Sequence, residues 1–178
     1  MCASGIRAAI ALVFAAVAVA ASPPVKSQGP VGLVVESVEK DSAAEKAGVK
    51  PGDVLVSWVR APNPPANPVE ARGTFASPFD VDEIETEQSP RGEVTLSGRR
   101  EGEPFSVTLP PGDWKIEVRP LLPSETLDRY LKGKQRISEG EVESGVALLR
   151  EAASGLDRKD PESACWLQKV IGDIWSRA

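Results

Sequence analysis

Hydrophobic and polar positions along the chain follow three successive patterns, and each predicts a different kind of structure. Ala8–Ala20 is an unbroken apolar run behind Arg7, and Ala18-Val19-Ala20 places small residues where a signal peptidase reads them. Residues 1–21 therefore read as a secretory signal peptide. An uncleaved anchor is the alternative, although the run is short against the roughly 20 apolar residues a bilayer span needs. Ser22–Pro30 has no periodicity and reads as a linker over 22–30. From residue 31 to 120 short alternating runs predict strands: Val31–Val38, Val54–Val59, a short edge strand within Val69–Phe75, the pair Glu93–Gly98 and Phe105–Leu109, and Trp114–Val118. After Arg119-Pro120 the period becomes helical. Leu127, Tyr130 and Leu131 mark one helix. Val142, Val146, Leu149, Ala153 and Leu156 mark a second. Asp160-Pro161 starts a third, with Leu167, Ile171, Ile174 and Trp175 on one face.

Two further helices interrupt the strands. Ser42 followed by Glu45 makes a capping box for a helix over Ser42–Ala47, and Gly48 supplies the left-handed residue that ends it. Ser77-Pro78 is expected to cap and start a helix running to about Gln88, with Phe79, Val81 and Ile84 as its thin apolar stripe. Ala61–Pro68, rich in proline and asparagine, is a loop. Arg99–Glu103 is the expected hairpin turn.

The block Ala47-Gly48-Val49-Lys50-Pro51-Gly52-Asp53, between a short Ala-rich helix and the strand that starts at Val54, resembles bacterial PDZ domains with permuted strand order. The resemblance covers about half of the chain. It implies a small β-barrel or sandwich with two helices over 31–120, a binding module that takes an extended polypeptide as an added strand. A Gly-Leu-Gly-Phe carboxylate loop is absent upstream of Gly32, so the resemblance implies a permutation cut just before Val31. On that reading Gly112-Asp113-Trp114-Lys115-Ile116 is the carboxylate loop, with the N–H groups of Trp114 to Ile116 facing the ligand. Trp114–Val118 is the groove strand and Phe79–Gln88 the groove helix, so Ile116, Val118, Phe79, Val81 and Ile84 complete the peptide-binding set. The bland alternative is that Trp114 and Ile116 pack the core and the groove is dead. Lys115 departs from the glycine usual at its position, and a cation there would favour a ligand carboxylate.

Residues 121–178 resemble the start of tetratricopeptide repeats. Gly133 stands as the small residue of a first helix, Gly140 in the turn, Leu149 and Ala152 as packing positions, and Pro161 as the closing proline. Ile171-Gly172-Asp173-Ile174-Trp175 is similar to the core of a following first helix. Gly145 stands where alanine is usual, and the Gly133-to-Gly172 spacing exceeds the family's period of about 34. Either the chain is the front of a longer repeat protein, or the third helix packs back on the other two. The fold class expected is α+β followed by an all-α hairpin or repeat.

Composition narrows the function. Histidine is absent, which removes Ser-His-Asp and Cys-His catalysis and histidine-containing zinc sites. Two cysteines cannot form an all-cysteine zinc site, and no phosphate-loop or calcium-loop pattern is present. A net charge of -5 without a basic cluster argues against nucleic acid. Cleavage after the leader removes Cys2 and leaves Cys165 alone. Burial is expected for it, beside Trp166 and Leu167. The combined expectation is an exported bacterial protein, periplasmic or secreted, without catalytic residues, cofactor, metal or a membrane span after leader cleavage. Its partner would be a protein or peptide, for instance a C-terminus with basic residues, because Asp80, Asp82, Glu83, Glu85 and Glu87 crowd the groove helix. The alternative is a regulatory or substrate-recognition fragment of an exported protease, and a third reading is a structural spacer.

Overall fold

The computed structural model describes residues 32–156 and 158–177. The expected signal peptide, the linker and Cys2 lie outside them. The described chain is mixed α/β, a six-stranded antiparallel sheet with five α-helices. Strands are β1 (Leu33–Val38), β2 (Val54–Arg60), β3 (Ala71–Thr74), β4 (Val94–Arg100), β5 (Glu103–Leu109) and β6 (Ile116–Pro120). Helices are α1 (Ala43–Ala47), α2 (Phe79–Glu83), α3 (Ser124–Ser138), α4 (Val142–Leu156) and α5 (Pro161–Arg177). The sheet runs β5-β4-β2-β1-β6, and β3 pairs with the second half of β2, at Ser57–Arg60. β1 takes Val54 and Leu55, in the first half of β2. Among the described residues β6 pairs with β1 alone, so its other edge is open.

Alternation puts Leu33, Val35, Leu55, Val94, Leu96 and Leu109 on the inner face of the sheet. Val81 and Ile84 from the second helix and Trp114 from the loop before β6 close this core. Trp114 is fully buried, and its indole N–H donates to the Pro110 carbonyl at 3.1 Å.

The turn between α1 and β2 is built as its residues demand. Ser42 caps α1 through the Glu45 N–H at 3.1 Å, while the Glu45 carboxylate accepts from the Asp41 N–H at 2.7 Å. Gly48 holds φ at +91°, in the left-handed region. Asp53 is buried. Its carboxylate accepts from the Lys50 N–H at 2.8 Å and from two guanidinium nitrogens of Arg100 at 2.7 Å each. The aspartate thus ties the turn to β4.

Several local expectations are corrected. The hairpin turn is the pair Glu101-Gly102, not Arg99–Glu103. Both residues have positive φ, +53° and +91°, the geometry whose twist suits a two-residue hairpin. The charged flanks stay in the strands because the hairpin face is solvated, and Arg100 is engaged by Asp53. α2 starts one residue later than expected, although Ser77 Oγ still accepts from the Phe79 N–H at 3.4 Å. Pro78 stands at the cap position, and the Asp80 carboxylate reaches back to the N–H groups of Ala76 and Ser77 at 2.7 and 2.9 Å. α2 then widens into a π-helical turn over Ile84–Gln88 and ends in a 3₁₀ turn over Ser89–Arg91. β6 begins at Ile116 rather than Trp114, because Lys115 takes φ of +59° and breaks the extended run. Arg60, the last residue of β2, is buried. Its guanidinium donates to the carbonyls of Ala61 and Val69 and to the Gln88 side chain, pinning the proline-rich loop.

The three C-terminal helices share a second core of Tyr130, Leu149, Ala152, Ala153, Leu156, Leu167 and Ile171. A methyl group at Gly133 would stand 2.9 Å from the Gly145 carbonyl oxygen, and one at Gly145 would stand 2.6 Å from the Gly133 carbonyl oxygen. The two glycines let α3 and α4 touch backbone to backbone, and Ile137 fills the space that an alanine at 145 would take. α5 packs back on α4. Its expected apolar face is therefore only partly used: Leu167 and Ile171 are buried, while Trp175 is 45% exposed. Cys165 is exposed, against the expectation of burial, because it points away from the face that carries Leu167 and Ile171. No helix among the described residues is long and apolar enough to cross a membrane.

Candidate functional site

A cleft of about 480 Å³ runs between β6 and α2 and is walled on its far side by the C-terminal helices. Ile116, Glu117 and Val118 of β6 form one wall, and Phe79, Val81 and Asp82 of α2 form the other. Tyr130, Lys134 and Ile137 of α3, with Trp166, Lys169 and Val170 of α5, complete it. Four of the sequence-predicted residues line the cleft: Phe79, Ile116 and Val118 are half-buried, and Val81 is nearly closed off within its α2 wall. Ile84 lies in the sheet core and does not line the cleft.

The loop before β6 is held at several of its polar groups. The Gly112 N–H donates to Ser89 Oγ at 2.9 Å. The Trp114 N–H donates to Glu85 Oε1 at 2.8 Å, and the Lys115 N–H to Asp113 Oδ1 at 3.1 Å. The Lys115 carbonyl accepts from the Glu39 N–H at 3.0 Å. Two of the N–H groups expected to meet a ligand carboxylate, those of Trp114 and Lys115, therefore already have carboxylate acceptors from the chain itself. Trp114 offers no side-chain surface. The Lys115 ammonium is paired with the Asp113 carboxylate, which raises the lysine and lowers the aspartate from their ordinary values. Burial pushes the Glu85 carboxyl up, against the lowering effect of the Trp114 N–H.

A polar hollow of about 470 Å³ adjoins the cleft across Ile116 and Glu117. Ser37, Val38 and Glu39 at the end of β1 line it together with Glu85, Asp113 and Lys115. Of the five acids on the second helix, Asp82 faces the cleft and Glu85 the hollow. Asp80 is spent on the helix start, and Glu87 pairs with Arg91 at 2.9 Å.

The residues that sequence reasoning missed are those joining the helices to the sheet. Glu36 is the one charge in the apolar strand β1. Its carboxylate accepts from the Tyr130 hydroxyl at 2.8 Å and the Lys134 ammonium at 3.0 Å, and Arg119 Nε lies 3.4 Å away. Burial first, then the Glu36 charge, hold the Tyr130 phenol well above its ordinary ionisation range. The Tyr130 ring lies 5.4 Å from that of Trp166, and Phe79 packs on the helical core. A charged residue inside an otherwise apolar strand was the available signal. Its partners, about 94 residues downstream, are beyond any local pattern.

Among the described residues no group of three or more histidine, cysteine, aspartate or glutamate side chains is placed to hold a metal ion. No family model matches the chain, and no curated protein matches it.

Proposed function

We propose that this is an exported, non-catalytic module that binds a polypeptide by strand addition in a PDZ-type groove. The observation that carries this reading is the open edge of β6 facing α2 across an apolar-floored cleft. An extended segment laid there gains main-chain hydrogen bonds from the strand and side-chain contacts from the helix. The strand order supports the permuted assignment. β5, the loop, β6, β1, α1, β2, β3, α2 and β4 follow in space the order of an unpermuted PDZ chain cut before β1. The helical segment, read as a repeat related to the tetratricopeptide family, contributes the far wall of the cleft and an outer surface that carries Trp175 and Cys165. Export rests on the apolar leader, and mass spectrometry of the exported protein tests it, with an N-terminus near Ala21 or Ser22 expected.

The test is selection of a displayed random heptapeptide library on the full chain, followed by titration of the best peptide against variants. Ile116→Lys puts a charge on the β6 wall of the cleft and should reduce affinity at least tenfold. Val69→Ser, on an exposed loop away from the cleft, should leave it unchanged. Peptides that bind both variants as well as the parent would remove the groove as the site.

A further inference from the structure

We propose that the groove takes an internal segment of its partner, one that runs on past the Trp114 loop, and discriminates against a free C-terminus. The inference rests on the strand-addition reading above and adds the class of ligand. Two independent features carry it.

The first is that two of the three donors expected to meet a terminal carboxylate, the Trp114 and Lys115 N–H groups, are engaged. Glu85 Oε1 sits on the Trp114 N–H, and Asp113 Oδ1 on the Lys115 N–H. The loop cannot swing to offer them elsewhere. Trp114 is locked in the core, Ser89 holds Gly112, and the Glu39 N–H holds the Lys115 carbonyl. A ligand carboxylate would have to displace Glu85 or lie beside two like charges, which disfavours it in a partly buried site. The one nearby cation, Lys115, is already paired with Asp113. The carboxylate that loops of this kind await from a partner is thus supplied from within the chain.

The second feature is that the groove does not end at the loop. The polar hollow opens from the same two residues, Ile116 and Glu117, that line the cleft. Ser37 and Val38 lie across β6 from its open edge, paired with Glu117 and Ile116, so a segment bound at that edge enters the hollow by turning across the start of β6. Glu39, Glu85, Asp113 and Glu117 against the single Lys115 give this stretch an electrostatic preference for neutral or basic residues over a chain end.

The experiment compares two displayed libraries on the full chain. One carries seven random residues ending in a free carboxylate, and the other carries seven random residues followed by Gly-Ser-Gly within a longer chain. Enrichment of the internal library, with the best peptide at least fivefold tighter as an internal sequence than with its carboxylate freed at the loop, is expected. Glu85→Gln keeps an acceptor for the Trp114 N–H and removes the charge, so it should narrow that ratio to below about twofold. Enrichment of the free-carboxylate library, or a ratio that Glu85→Gln leaves unchanged, overturns the inference while leaving strand addition standing. Enrichment of neither library removes the groove reading and this inference with it.

Discussion

Tyr130 is the chain's single tyrosine, so its ionisation can be followed without interference from another phenol. The ring is buried between the helical core and β1, and its hydroxyl donates to Glu36 at 2.8 Å. Deprotonation would set a phenolate in a desolvated site against a carboxylate, so the folded protein keeps the proton far above the ordinary value near 10. The unfolded chain releases it near 10. Above that pH the unfolded state binds fewer protons than the folded one, and stability is lost at about 1.4 kcal/mol for each pH unit. The stabilisation is complete below pH 10 and falls as pH rises. Tyr130→Phe removes a hydrogen bond to a charged group, at a cost of about 1.5–3 kcal/mol at neutral pH. The variant has no phenol to ionise in either state. The difference between parent and variant should therefore shrink from pH 10 upward and close near about pH 11.5. Urea melts of both proteins at pH 8, 10 and 11 measure it, with absorbance at 295 nm reporting the phenol. A folded parent whose phenol titrates with a midpoint near 10, or a difference that stays constant with pH, would refute the placement of Tyr130 on Glu36.

Two glycine substitutions in the helices should have opposite signs in thermal melts. Gly145→Ala drives a methyl to 2.5 Å from Ile137 and 2.6 Å from the Gly133 carbonyl oxygen, and should destabilise by about 1–3 kcal/mol. Ile137→Ala on that background relieves only the side-chain part. Gly172→Ala meets nothing within 4 Å on exposed α5 and should stabilise by about 0.5–1 kcal/mol. Gly48→Val has open space but a φ of +91°, so its cost of more than about 1 kcal/mol is conformational and would show as a lowered melting midpoint. Glu101→Asn places a residue tolerant of positive φ in the hairpin turn and should raise stability by up to about 1 kcal/mol in a urea melt.

Alternation and turn chemistry made the sheet legible. The paired runs Val94–Leu96 and Val107–Leu109, the capping box at Ser42 and the left-handed Gly48 are local features, each decided within a few residues. The helices after Pro120 were equally plain from their period. What escaped was set by long-range contacts. Lys115 adopts a glycine-like backbone because Asp113 and Glu39 hold it on either side. Cys165 and Trp175 are exposed because α5 rotates Leu167 and Ile171 toward α4 and Trp166 toward the cleft. The family resemblance named the strand and helix that line the cleft, but not its far wall of Tyr130, Lys134 and Trp166. No periodicity says that a C-terminal helical segment returns to flank the edge of an N-terminal sheet. Glu85 carried a similar ambiguity. It was legible only as one of five acids on the groove helix, and nothing local singled it out as the acceptor of the Trp114 N–H.

Strand addition at the open edge of β6, as proposed above, makes a direct prediction for backbone amides. Amide hydrogen exchange of the full chain with and without the best library peptide tests it residue by residue. Binding should slow exchange along Ile116–Arg119 and at the cleft side of α2, by at least tenfold at the protected β6 amides, and leave the exposed edge β5 unchanged. Protection confined to β5, or to the outer surface of α4 and α5, with β6 unaltered, would contradict it.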